Sequence, residues 1–123
     1  MSNNLTAGID IVEIERIQKA VDTWHDSFLN RVFTFGELEI CHGSPARLAG
    51  RFAAKEAVLK ALNPDIITCN WRDIEILASS SGRPLLKLHG KAVYEYNRKN
   101  IMSFDVSISH CQQYAVAMAV AQC

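Results

Sequence analysis

A chain of 123 residues suits one domain, spanning 1–123, with a modest core. Apolar residues make up 49% and charged residues 21%, with a formal net charge of zero. That excludes a disordered chain and a generally nucleic-acid-seeking one, so any anion binding must come from local clustering. No apolar run approaches the roughly 20 residues that span a bilayer, so no membrane partner is expected.

The opening MSNNLTAGID lacks the basic-then-apolar order of a secretory signal. Leu5 to Asp10 reads as a short strand, with Gly8 allowing close backbone approach, that delivers Asp10 to the start of the next element. Ile14, Ile17, Val21 and Trp24 recur at helical spacing and predict an amphipathic helix over about Val12 to Thr23. Its outer face carries Glu13, Arg16, Lys19 and Asp22, which taken alone read as a solvated surface. His25 to Phe33 continues as a shorter helical piece. Thr34 and Glu37 have capping-box spacing, which opens another short helix that stops at Gly43; they are assigned no chemistry.

SPARLAGRFAAKEAVLKALN, Ser44 to Asn63, is the central helix. Ser44 serves as N-cap, Pro45 as first residue, Asn63 as the left-handed C′ residue and Pro64 as the stop. At about 100° per residue, Leu48, Phe52, Leu59 and Leu62 form the core stripe. Lys55 falls within that stripe, Glu56 lies at its edge with Lys60 one turn on, and Arg51 borders the opposite edge. In one reading Lys55 snorkels past Leu59 to water and Glu56 pairs with Lys60 on the surface. In the other, the ammonium is paired or faces an anion.

Beyond Pro64 the period changes. Asp73 to Leu77 alternates as a strand, Ser79 to Pro84 is turn-rich, and Leu85 to Leu88 returns as its hairpin partner. Lys91 to Lys99 predicts a helix with Val93 and Tyr96 inward. Ser103 to Ser109 alternates as a strand, His110 to Gln113 turns, and Tyr114 to Ala121 follows with one face entirely alanine. That last strand carries no charge, so both its faces should be covered, and its alanines let a helix pack close. The fold class is α+β: a mainly antiparallel sheet of about five strands packed on a long central helix.

The scattered Cys41, Cys69, Cys111 and Cys123 fit reduced thiols in a cytoplasm. Neither Cys41-His42 with His110-Cys111 as a zinc site nor a Cys111–His110 dyad is supported, because adjacent side chains rarely point at one target.

Three ordered stretches carry a resemblance: Gly8 to Ile17 (GIDIVEIERI), Arg51 to Ala57 (RFAAKEA), and Ser107 to His110 followed by Tyr114 to Ala117. Arg31-Val32-Phe33-Thr34, Trp71 to Glu75 and Gly82-Arg83-Pro84 fit between them. The set resembles holo-[acyl-carrier-protein] synthase, the short group of the 4'-phosphopantetheinyl transferases. The resemblance implies a magnesium-dependent transfer of the phosphopantetheine arm of coenzyme A to a serine of an apo acyl carrier protein, releasing adenosine 3',5'-bisphosphate.

It further implies that Asp10 and Glu56 bind Mg2+ and that Lys60 and Arg51 face the coenzyme A phosphates. Gly82, Pro84, Ser109 and His110 would complete the coenzyme A site. Arg16 and Lys19, on a basic first helix, would receive the acidic carrier, and family members assemble as homotrimers with sites at subunit boundaries. Such chemistry needs positioning and charge neutralisation more than covalent help. Two carboxylates with substrate phosphates satisfy magnesium, and Lys60 neutralises nearby oxygens. Lys55 is open between phosphate contact and bracing a carboxylate from the core side. The proton acceptor is Glu56 through a water or a metal-bound hydroxide. Asn63-Pro64-Asp65 departs from the glycine common in the family at that place. The alternative function is a non-catalytic coenzyme A or carrier-protein binding module of the same fold.

Overall fold

The computed structural model describes residues 4–62 and 69–123. In order, it contains β1 (Leu5–Glu13), α1 (Ile14–Trp24), α2 (Asp26–Val32), α3 (Phe35–Cys41), α4 (Pro45–Leu62), a 3-10 turn (Trp71–Asp73), β2 (Ile74–Ala78), β3 (Pro84–Leu88), α5 (Gly90–Arg98), β4 (Ser103–His110) and β5 (Tyr114–Gln122). The α+β class stands, with all five strands antiparallel.

The strands divide into two sheets. β5 lies between β1 and β4, while β2 and β3 form a separate hairpin. The division has a local cause. Ile74 and Ile76 turn their main-chain groups away from β3, and charged side chains meet them there. Lys55 Nζ donates to the Ile74 carbonyl, Arg51 Nε donates to the Ile76 carbonyl at 3.3 Å, and the Ile76 N–H donates to Glu37 Oε2 at 2.7 Å. These bonds satisfy the edge that another strand would otherwise pair.

Buried alanines bring α4 onto the three-stranded sheet. Ala53, Ala57 and Ala61 join Ala117, Ala119 and Ala121 in one core cluster. Contact is closest at Gly8, where an added Cβ would lie 1.9 Å from the Ala57 carbonyl oxygen. Thr6 Oγ1 donates to the Ala61 carbonyl at 2.8 Å beside it. The predicted stripe is divided. Leu62 lies in this cluster and Leu59 packs against it, whereas Leu48 enters a second cluster with Ile17, Val32 and Phe33, and Phe52 stacks on Trp71 with ring centroids 5.1 Å apart.

Other boundaries differ from expectation. β1 continues past Asp10 through Val12 and Glu13, because both pair with β5 (opposite Ala115 and Tyr114), so α1 begins only at Ile14. Asp10 thus sits within the strand rather than at its end. In α5, Ala92 and Glu95 turn inward and Val93 is exposed, while Tyr96 packs against the core as expected. His110 closes β4 instead of opening the turn. Among the described residues, the alanine face of β5 is buried and the other is only partly covered. Across the other face of the sheet, Leu5, Ile9 and Ile11 are 70%, 61% and 64% exposed, beside exposed Tyr114 and Met118.

The Ser44 cap holds, with the Arg47 N–H donating to Ser44 Oγ at 3.3 Å and Pro45 first in α4. The Thr34–Glu37 capping box is complete, and α3 ends with His42 left-handed and Gly43 at φ 72°. Asn63, Pro64 and Asp65 lie outside the described residues.

Candidate functional site

Asp10, Glu56 and Lys60 come together where β1 crosses α4. The close approach at Gly8 brings the strand against the helix, and Asp10, two residues on, shares the helix-facing side of the sheet. Lys60 Nζ donates to the Ile9 carbonyl at 2.8 Å and reaches Asp10 Oδ1 at 3.4 Å. The expected Glu56–Lys60 surface pair is thus replaced by a Lys60 link to β1. Lys60 is more than half exposed, so this ion pair adds little stability and leaves the ammonium open to an anion.

Glu56 is half-buried beside Asp10. Burial first, and the Asp10 carboxylate second, push its proton affinity above the usual glutamate range, while Lys60 acts in the opposite direction. Two hard carboxylates that repel each other, with an exposed cation beside them, form a donor set that fits Mg2+. Such sites use one or two carboxylates, with phosphates and waters completing the shell.

Lys55, next to Glu56, points elsewhere. Its side chain is 0% exposed, and its ammonium donates to Glu37 Oε1 at 2.7 Å, to the Trp71 carbonyl at 3.1 Å and to the Ile74 carbonyl. The snorkelling and phosphate readings are both overturned, because every proton of the ammonium is used inside the core. The carboxylate it braces is Glu37. The sequence showed Glu37 only as half of a capping box, since its second role depends on how α4 and β2 pack around it.

The remaining coenzyme A residues stand apart from this cluster. Arg51 lies beyond the far flank of α4, on the β2 carbonyl of Ile76. Ser109 is paired through Val116 to Ile11, so its side chain is on the opposite sheet face from Asp10. His110 shares the face of Val12, but β5 intervenes, which separates their backbones by about 10 Å. Gly82 (φ 86°) shapes the β2–β3 turn, and Pro84 lines a cavity of about 440 Å³ with Leu86, Tyr96 and Phe104. Next to them, Arg83 pairs with Asp105 at 2.8 Å. A larger hollow, about 850 Å³, lies between α2, α3 and the 3-10 turn, and Arg31, Trp71, Arg72 and His89 are among its lining; neither Asp10 nor Glu56 borders it.

Arg16 and Lys19 are exposed on α1, but Lys19 reaches Glu15 at 3.3 Å. With Glu15 and Asp22 against Arg16 and Lys19, the formal charge of α1 sums to zero, so the helix is not basic as a whole. Among the described residues, no group of three or more His, Cys, Asp and Glu side chains could hold a metal by itself, and none of the four cysteines is paired. A metal held by Asp10 and Glu56 would therefore need further ligands from substrate or water. No helix among the described residues is long and apolar enough to cross a membrane.

The sequence model of the 4'-phosphopantetheinyl transferase superfamily matches residues 6–119, and the chain belongs to that family. Among curated relatives, the holo-[acyl-carrier-protein] synthase of Moorella thermoacetica is 44% identical, over 96% of this chain and 94% of its own. That of Alkaliphilus metalliredigens is 48% identical, over 93% and 95%. The crystal structure of Helicobacter pylori holo-[acyl-carrier-protein] synthase in complex with coenzyme A superposes with a TM-score of 0.85 at 37% identity, covering 94% of this chain and 98% of that one.

Proposed function

We infer that this chain transfers the 4'-phosphopantetheine group of coenzyme A to a serine of apo acyl carrier protein, giving holo carrier protein and adenosine 3',5'-bisphosphate. The observation that carries the reading is the meeting of Asp10, Glu56 and Lys60 across β1 and α4, in a chain of this family. The family model spans nearly the whole chain, in keeping with one transferase domain.

Asp10 and Glu56 would hold Mg2+, which supplies Lewis-acid polarisation of the phosphate under attack. Lys60, anchored on the Ile9 carbonyl, keeps its charge directed at the same place and neutralises phosphate oxygens. In the transfer, the serine oxygen forms a bond to the phosphorus next to pantetheine. The bond from that phosphorus to the bridging oxygen breaks, and adenosine 3',5'-bisphosphate departs. Glu56, at the edge of that site, takes the serine proton through a water. Arg51, fixed through Nε, keeps its terminal nitrogens for coenzyme A phosphates.

Gly82, Pro84, Ser109 and His110 would serve the same coenzyme A from a second copy of the chain, in a homotrimer with sites at its boundaries. Two observations favour this. The four residues stand away from Asp10 and Glu56 within one chain, and the open face of the β1–β5–β4 sheet exposes Leu5, Ile9, Ile11 and Met118. Arg16 and Lys19 would contact an acidic carrier helix at the exposed side of α1. Unpaired cysteines accord with a cytoplasmic location.

The test is mass spectrometry of an apo carrier protein after incubation with this protein and coenzyme A, with and without magnesium. The expected result is a phosphopantetheine mass gain only with magnesium. A folded protein that binds coenzyme A but leaves every carrier unmodified would instead be the binding module of the same fold.

A further inference from the structure

The Lys55–Glu37 pair is buried, charged and unused by the transfer chemistry. Glu37 Oε1 accepts from Lys55 and from the Thr34 N–H at 2.8 Å, and its Oε2 accepts from the Ile76 N–H. The lysine has two main-chain acceptors besides. The partners thus come from α3, the 3-10 turn and β2, all converging on one position of α4. Removing two ions from water costs several kcal/mol each, and an apolar pair of similar volume is often at least as stable. Stability alone therefore does not account for an ion pair here.

The sheet-facing side of α4 offers a different reason. Ala53, Ala57 and Ala61 meet Gly8, Ala117, Ala119 and Ala121, a contact that is very close but smooth. Small side chains let the helix approach without the interlocking ridges that fix rotation and translation. Directional bonds then help to set that register. On the sheet side Thr6 bonds the Ala61 carbonyl and Lys60 bonds the Ile9 carbonyl; on the flank away from the sheet Lys55 and Arg51, one turn apart, bond alternate carbonyls of β2. The adjacent residue, Glu56, comes beside Asp10 where Lys60 links the helix to β1.

We propose that Lys55 is a positioning residue: with Glu37 it locks α4 on the edge of β2 and so holds the Glu56 carboxylate against Asp10. The inference rests on the transferase reading, in which those two carboxylates bind the divalent cation. It assigns Lys55 and Glu37 no contact with substrate.

The test uses the doubly substituted Lys55→Met/Glu37→Gln protein, which removes both charges and leaves no unpaired ion in the core. Titration with Mn2+, followed by electron paramagnetic resonance, reads the carboxylate pair without turnover; carrier modification gives kcat and the KM for coenzyme A. The expected result is a folded protein with Mn2+ affinity at least tenfold weaker and kcat at least tenfold lower, the KM for coenzyme A changing less than threefold. Mn2+ affinity and kcat equal to those of the unaltered protein would overturn the proposal. Should the double variant not fold, Glu37→Asp carries the test. It keeps both charges, draws the carboxylate back by one methylene, and should weaken Mn2+ binding about threefold or more, whereas unchanged affinity again overturns the role. If the unaltered protein itself binds no Mn2+ and modifies no carrier, the transferase reading fails instead.

Discussion

Lys55 and Glu56 are consecutive on α4 and meet opposite environments. Lys55 has a complete set of partners in a sealed core, while Glu56 is half-buried beside a second carboxylate and an exposed lysine. Burial acts on both, lowering the proton affinity of the lysine and raising that of the glutamate. The difference lies in what compensates. Glu37 and two carbonyls answer the lysine charge inside the protein, whereas Asp10 worsens the glutamate's position and Lys60 relieves only part of it. A satisfied charge builds the fold, and an unsatisfied pair is available to a metal and a phosphate.

The strongest way to break this contrast is at the open end. Glu56→Gln or Asp10→Asn should lower carrier modification by on the order of 10²–10³-fold, as expected for loss of a transition-state electrostatic partner. Circular dichroism and the melting temperature should show an unchanged fold. At the sealed end the consequence is reversed. Lys55→Met alone leaves the Glu37 carboxylate buried and unpaired, so urea unfolding should show a loss of about 3–5 kcal/mol. Restoring neutrality with Glu37→Gln should recover much of that loss.

A smaller effect is expected at Gly8, which holds the two regions together. Gly8→Ala puts a Cβ 1.9 Å from the Ala57 carbonyl oxygen, and the strand must move off the helix. The cost should be about 1–3 kcal/mol, typical of overpacking, with a fall in transfer because Asp10 moves too.

The smallest effect is the pH dependence of the metal-free protein. Glu56 has a folded-state proton affinity above its unfolded one, so its contribution is fully present below the ordinary glutamate range, about pH 4.3. It is lost as pH rises through the folded value. Glu56→Gln should flatten that part of a melting-temperature profile above about pH 4.3, the ordinary glutamate value at which the window opens. Added Mg2+ should restore stability to the unaltered protein at the upper end of that window.

Much of this was legible in local pattern. The Ser44 cap, the Thr34–Glu37 box, the alanine face of β5 and the need for close approach at Gly8 each depend on neighbours a few residues away or on strand alternation. The extension of β1 through Glu13 was not legible, because Val12 and Ile14 fit a helix as well as a strand until Ala115 and Tyr114 pair opposite the segment. Nor was the separate hairpin, because nothing in the alternation of β2 tells that Lys55, Arg51 and Glu37 will take its open edge.

By itself, the sequence determined the elements, the family resemblance and the presence of Asp10, Glu56 and Lys60 as a set. Only the tertiary structure decided that Lys55 belongs to the core and Glu56 to the site. Adjacent side chains on a helix diverge by about 100°. Which one meets a buried carboxylate and which one an exposed cluster depends on the elements packed on each flank.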